Sequence, residues 1–252
     1  MIMEAKEYKI IQKTTPNQMS RFGWKPDIIV SHITQGSYAG AVSWLMNPVS
    51  QASAHFVISK LGEITQLVDI RMAAWINGTR LEKDASGPGW YGDSTLNLVR
   101  DKKTNANFYS VGIEHEGFYE QSKGQLTDAQ LKATIWLHKH IITEIKRIYG
   151  TDIIIDREHI VGHYQVDPIR KPNCPGQNFQ WVELILNLKG VEEIVAELKR
   201  YKNIKDMPEW MQVYIKKWVA KGFIKGNDSG ELDLSEDMIR VLIIAERMQG
   251  GK

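Results

Sequence analysis

Regular patterning begins at residues 26–34, where "PDIIVSHIT" places a β-branched apolar run behind Pro26. A run of that length bounded by a turn residue predicts a strand covered on both faces. "GSYAGAVSWLM" (36–46) predicts a helix stopped by Asn47-Pro48, and "AHFVISKLGEITQLVD" (54–69) predicts two strands around a turn at Gly62. "FYSVGIEHEG" (108–117) predicts another strand. The strongest helix signal spans 127–150: Leu131, Ile135, Ile142, Ile145 and Tyr149 share one face, Thr127 and Gln130 have capping-box spacing, and Gly150 supplies the stop. "DREHIVGH" (156–163) predicts a short strand and "NFQWVELILNLKG" (178–190) a helix. Residues 78–107 lack periodicity and are rich in Gly, Asn and Asp, which predicts a long loop. Alternating strands and helices give an α/β fold, a mixed central β-sheet flanked by helices, over residues 1–188.

The pattern changes near residue 190. "VEEIVAELKRYKN" predicts a charged linker helix over about 189–202. "DMPEWMQVYIKKWVAKG" and "LSEDMIRVLIIAERM" then predict a small helical module over 203–252, with Asp206 and Glu209 as a cap pair and Gly222 as a stop. Trp210, Tyr214 and Trp218 recur every fourth residue there, a stripe read as packing rather than as a ligand site.

Length and charge narrow the function classes. A chain of 252 residues holds one ordinary domain and a small second one. Its net charge of +2 provides no broad basic field for nucleic acid. No run approaches the roughly 18 apolar residues of a membrane span, and the early acids of "MIMEAKEYKIIQK" argue against a signal peptide. A single cysteine, Cys174, excludes an internal disulfide.

That cysteine anchors the candidate chemistry. A catalytic zinc site takes three protein ligands and leaves one position open. Cys174 sits in "NCPG", where Pro175 restricts its backbone and Gly176 allows a sharp corner. His159 and His163, on one strand, would stand roughly 13 Å apart and could not share an ion. His163, at the strand end leading toward Cys174, is the better ligand. His32 ends its own strand the same way, so two strand-end histidines and the Cys loop would form a tripod. His55, His115, His138 and His140 read as surface or hydrogen-bonded core residues. Glu114 and Glu116 share a strand face: Glu116 reads as a solvated or paired terminal residue, whereas Glu114, deeper in an apolar run, needs a reason for burial.

Five segments in register, "IIVSHIT", "SAHFVIS.LGEITQLVD", "AAW.NG", "SVGIEHEG" and "VGHYQVDP.RKPNCPG", resemble the zinc-dependent N-acetylmuramoyl-L-alanine amidases of the phage-lysozyme and peptidoglycan-recognition-protein superfamily, over residues 20–188. The resemblance implies Zn²⁺ held by His32, His163 and Cys174, and Glu114 as base. Another branch uses a tyrosine where Ala54 stands here. The family lysine two residues before the third ligand is replaced by Pro172, so Lys171 is the nearest candidate for oxyanion stabilisation and Arg170 the alternate. Ile76 stands where the family often has histidine. Trp75, Trp90 and Tyr91 are candidates for substrate contact, with ordinary packing equally expected. The implied partner is bacterial peptidoglycan, cut between the lactyl group and L-alanine by a phage or prophage endolysin that reaches the wall after release. A peptidoglycan-binding module without hydrolysis is the alternative, and Cys174 argues against it. The C-terminal module resembles those appended to endolysin-type amidases, which implies wall attachment or a homodimer contact.

Overall fold

The computed structural model describes residues 8–83, 86–190, 200–226, 230–232 and 234–249. The chain separates into two compact units, Met1–Leu188 and Lys189–Lys252.

The first unit is built on a six-stranded sheet formed by β1 (Ile10–Gln12), β3 (Ile28–Ile33), β4 (Phe56–Ile58), β5 (Ile64–Gln66), β9 (Ser110–His115) and β10 (Ile160–Gly162), in the order β1-β5-β4-β9-β3-β10. Only the β4–β5 hairpin is antiparallel; every other pairing in this sheet is parallel. Short ribbons join β2 (Gln18–Met19) to β6 (Ala73–Ala74) and β7 (Thr79–Arg80) to β8 (Gly89–Trp90).

Period-two alternation assigns the faces. Ile29 of β3, Phe56 and Ile58 of β4, Val111 and Ile113 of β9 and Ile160 of β10 pack with Leu137, Ile141 and Ile145 of α4 (Asp128–Tyr149) and Leu184 and Leu188 of α6 (Trp181–Lys189). Ile28 and Val30 point the other way and pack with Leu96, Val99, Tyr109 and Val166 around α2 (Asn97–Lys102) and α5 (His163–Val166). Val57 packs beneath α1 (Tyr38–Met46) with Val42 and Leu45. All six β3 residues are buried, as its unbroken apolar run requires of a strand covered on both faces.

The expected elements differ from the structure in several places. Thr127 caps α4 through its side-chain oxygen, but Gln130 does not close a capping box; its amide donates instead to the carbonyls of Ile58 and Glu116. The fully buried face of α4 runs through Ala133, Thr134, Leu137, His138, Ile141 and Ile145, with Leu131, Ile135, Ile142 and Tyr149 partly buried beside it. Thr134 and His138 are polar, so a count of apolar residues misses the true centre of the stripe. The expected 78–107 loop contains α2, whose six residues are too few to show a helical period. His163 begins α5 instead of ending a strand.

The second unit has its own core, formed by Tyr201, Met207, Met211, Ile215, Trp218, Leu234, Ile239 and Ile243. It holds two helices, α7 (Glu209–Ala220) and α8 (Glu236–Gln249), and a ribbon of β11 (Arg200–Tyr201), which precedes α7, with β12 (Leu234–Ser235), which precedes α8; the sequence pattern did not foretell the ribbon. Residues 191–199 of the expected linker helix lie outside the described residues, and Arg200–Tyr201 is strand. Asp206 does not cap α7: its carboxylate takes the Asn203 amide at 3.0 Å inside a 3₁₀ turn, and Pro208 occupies the cap position. The reason is Pro208 itself, which holds Met207 extended and delays the helix. Trp218 is buried, Tyr214 partly so, and Trp210 lies 42% exposed beneath the Arg240 guanidinium, so the aromatic stripe is only partly core.

Candidate active site

β3 and β9 run side by side with His32 opposite Glu114. Alternation turns both toward the face away from α4. The same alternation turns His115 toward α4, where its Nδ1–H donates to the His32 carbonyl and its Nε2 meets the Thr134 hydroxyl. β10 pairs with β3 so that Gly162 lies opposite Ser31, which sets His163 at the head of α5 beside His32. Their ring centroids are 4.4 Å apart.

Cys174 arrives on a loop wound over Asp167. The amide of Lys171 donates to the Asp167 carbonyl, that of Arg170 to the Asp167 carboxylate, and that of Cys174 to the Lys171 carbonyl. The Tyr164 amide then donates to the Cys174 carbonyl at 2.9 Å, tying the loop to the turn that carries His163. Gly176 completes the corner at φ +136°, where a Cβ would lie 2.2 Å from the Lys123 carbonyl oxygen, so no other residue fits. The Cys174-Pro175 peptide is cis.

The result is a three-donor cluster. One ligand atom from each of His32, His163 and Cys174 lies within 4.8 Å of the others. The cluster stands in a cleft of about 480 Å³ with Glu114, Trp75, Ile76, Arg170 and Lys171 in its walls. His159 is elsewhere, its Nδ1 held at 2.8 Å by Asp156. Glu116 accepts the Lys60 amide at the hairpin turn. His55 is buried, bonded to Arg21 and to the Gly112 amide, and His138 is buried on α4.

Electrostatics follow from this enclosure. Desolvation pushes the Glu114 carboxyl up to about 7, against the opposing pull of Lys171. Its Oε2 is buried with no protein partner among the described residues, an acceptor aimed at no protein group. Desolvation with the charges of Lys171 and Arg170 depresses His163 to about 3, and desolvation with His163 depresses His32 well below its usual value. Burial and the neighbouring Glu114 push the Cys174 thiol up to about 12. Both imidazoles are thus neutral, as metal ligands must be, and a cation would supply the charge that the thiolate needs. Two neutral imidazoles and one thiol around an open cleft form a donor set suited to zinc with a free coordination position.

Lys171 acts electrostatically on His32, Glu114, His163 and Cys174, whereas Arg170 acts on His163 and donates to the Gly87 carbonyl. Trp75 lines the cleft, and its buried indole N–H has no protein partner among the described residues. Trp90 and Tyr91 are not in its walls: the Trp90 indole donates to the Leu81 carbonyl, and Tyr91 packs against the core beneath β3. Asn77 stands within the "AAW.NG" segment with no role assigned from the sequence, yet its Oδ1 lies 2.6 Å from His32 Nε2. Its place in "AAWINGTR", two residues after a tryptophan of the cleft, was the available signal.

Comparison with known proteins finds amidases similar to this chain. N-acetylmuramoyl-L-alanine amidase A of Achromobacter lyticus is 28% identical over 164 residues, 61% of this chain and 77% of that protein. The 1,6-anhydro-N-acetylmuramyl-L-alanine amidase AmpD of Haemophilus influenzae is 31% identical over 139 residues, 55% of this chain and 60% of that one. A mutant endolysin from Bacillus subtilis is a structural neighbour at TM-score 0.48 and 22% identity, covering 72% of this chain and 99% of that one. The family model for N-acetylmuramoyl-L-alanine amidases matches residues 23–177, which include β3, β9, β10, the cleft and the Cys174 loop, and the chain belongs to that family.

Proposed function

We propose that this amidase is a zinc-dependent hydrolase acting on peptidoglycan in the manner of an endolysin, cutting the amide between the muramoyl lactyl group and L-alanine. The observation that carries the reading is the meeting of His32, His163 and Cys174 beside Glu114, whose buried Oε2 has no protein partner among the described residues. His32, His163 and Cys174 would hold the ion. Zinc, when bound, supplies a Lewis acid that polarises the scissile carbonyl and acidifies water.

The remaining roles fall to the chain's own groups. Glu114 has a carboxyl raised to about 7, which suits a base that takes a proton from water near neutrality and returns it to the leaving L-alanine amine. Lys171, whose charge reaches Glu114 and Cys174, is positioned to stabilise negative charge on the carbonyl oxygen. Trp75, in the wall of the cleft, would pack against the stem peptide or sugar. Trp90 and Tyr91 would reach substrate only where a long glycan extends past the cleft. The second unit would hold the enzyme on the wall.

Mass analysis of digested walls tests the reaction. The wild-type chain should release stem peptides with a new L-alanine amino terminus and leave intact lactyl groups. Glu114→Ala should abolish that release. Products cut within the glycan or within the peptide would overturn the proposal.

A further inference from the structure

The donor cluster has an inner support whose hydrogen positions can be deduced. The Ala106 carbonyl can only accept, so the Ser110 hydroxyl, 2.7 Å away, donates to it. Ser110 Oγ must then accept from its other neighbour, the Asn77 Nδ2 group at 2.8 Å. That choice fixes the Asn77 amide, because turning it over would set an oxygen against a hydroxyl whose proton is already committed. Asn77 Oδ1 therefore faces His32 Nε2 at 2.6 Å, and the imidazole nitrogen there must carry the hydrogen. His32 Nδ1 is left bare, 3.8 Å from Cys174 Sγ.

We propose that Asn77 is the positioning residue of this site: anchored through Ser110 to the Ala106 carbonyl, it holds His32 as the Nε2–H tautomer and points the bare Nδ1 into the donor cluster. The inference rests on the zinc reading for its purpose. It differs from a packing role because the chain of bonds has a direction. The backbone is arranged to hold it. Asn107 Oδ1 accepts the amides of both Ile76 and Asn77, at 3.2 and 2.6 Å. Gly112 of β9 leaves the space above the strand that this loop fills: a Cβ there would lie 2.5 Å from the Ile76 side chain and 3.3 Å from Asn77 Nδ2. Asn77 is fully buried and His32 nearly so, so water does not replace the bond. Outer partners of this kind set ring orientation and ligand basicity, and their loss costs 10–100-fold in metal affinity.

Two readouts on the full chain test it. Long-range ¹H–¹⁵N spectra of metal-free protein, with the His32 signal assigned by its loss in His32→Gln, should show Nε2 protonated and Nδ1 bare. Asn77→Leu should lose that single tautomer and bind Zn²⁺ about 10–100-fold more weakly in competition with a chelator. Ser110→Ala, which frees the amide to turn, should give a mixture of tautomers in a protein that melts as a folded chain. An Nδ1–H tautomer in the wild type overturns the proposal without any variant. So does a folded Asn77→Leu that keeps the wild-type tautomer and affinity. Failure of the zinc reading looks different: the wild type then takes up no Zn²⁺, while the tautomer, read without metal, still decides the role of Asn77.

Discussion

Glu114 is a carboxylate whose neighbours pull in opposite directions: burial raises its pKa to about 7 and Lys171 lowers it. Catalysis by the ionised form rises with pH through that value, so the acid limb of kcat/KM lies at or below about 7, lower when a cation is bound. Removing the Lys171 charge removes the lowering influence. Lys171→Met should therefore shift the acid limb upward, besides reducing the rate, and an unshifted limb would separate Lys171 from Glu114. Glu114→Gln should keep zinc affinity within about threefold and lose on the order of 10²–10⁴ in kcat. Proton release upon metal uptake is a second residue-scale expectation. His32 and His163 are already neutral, and the Cys174 thiol is raised to about 12. Zinc binding above about pH 7.5 should release about one proton per chain and strengthen about tenfold per pH unit. A slope near zero in a calorimetric pH series would remove Cys174 from the ligand set. At this scale the sequence was informative where chemistry is rare: one cysteine, a histidine near the end of β3, another just past the end of β10, and an acid in an apolar run. Asn77 was not legible, because one asparagine among many carries no chemical mark until the fold brings it against His32.

At the scale of elements, the site depends on corners that admit only glycine. Gly176→Ala would drive a Cβ to 2.2 Å from the Lys123 carbonyl oxygen. It should cost roughly 2–4 kcal/mol in the denaturation of the first unit and lower zinc affinity, since Cys174 rides on the same turn. Thr127→Ala, which removes the side-chain acceptor at the head of α4, should cost about 1 kcal/mol and leave zinc affinity unchanged. The long elements were readable because their periods are long: the two-sided apolar run of β3 and the 22 residues of α4. α2, at six residues, and β11 and β12, at two each, are too short to repeat a period, and tertiary packing defines them. The Asp206 cap failed for a local reason, since Pro208 postpones the helix past the residue that was to cap it.

At the scale of the molecule, buried histidines couple stability to pH. His115 is depressed to about 3 and His138 to about 4, both chiefly by desolvation. The unfolded chain, with histidines near 6.5, then binds more protons than the folded one below that pH. Their contribution is fully present above about 6.5 and is lost as pH falls toward about 4. A urea series on the full metal-free chain should therefore show stability level between about pH 7 and about pH 8 and declining below it. His138→Leu should flatten part of the decline. The two-unit division leads to a separate expectation: residues 1–190 alone should retain hydrolysis of soluble muramoyl peptides while binding to insoluble walls weakens. Among the described residues no helix is long and apolar enough to cross a membrane.

The central claim, that a metal on His32, His163 and Cys174 is required for the amidase reaction, is tested most directly by titration. Chelated protein receives Zn²⁺ in steps while bound metal and newly freed L-alanine amino termini from purified walls are measured together. The account predicts that activity starts near zero and climbs in proportion to occupancy, reaching its plateau at one ion per chain, with Cys174→Ala failing to recover. Undiminished release of amino termini by protein shown to hold no metal would contradict it.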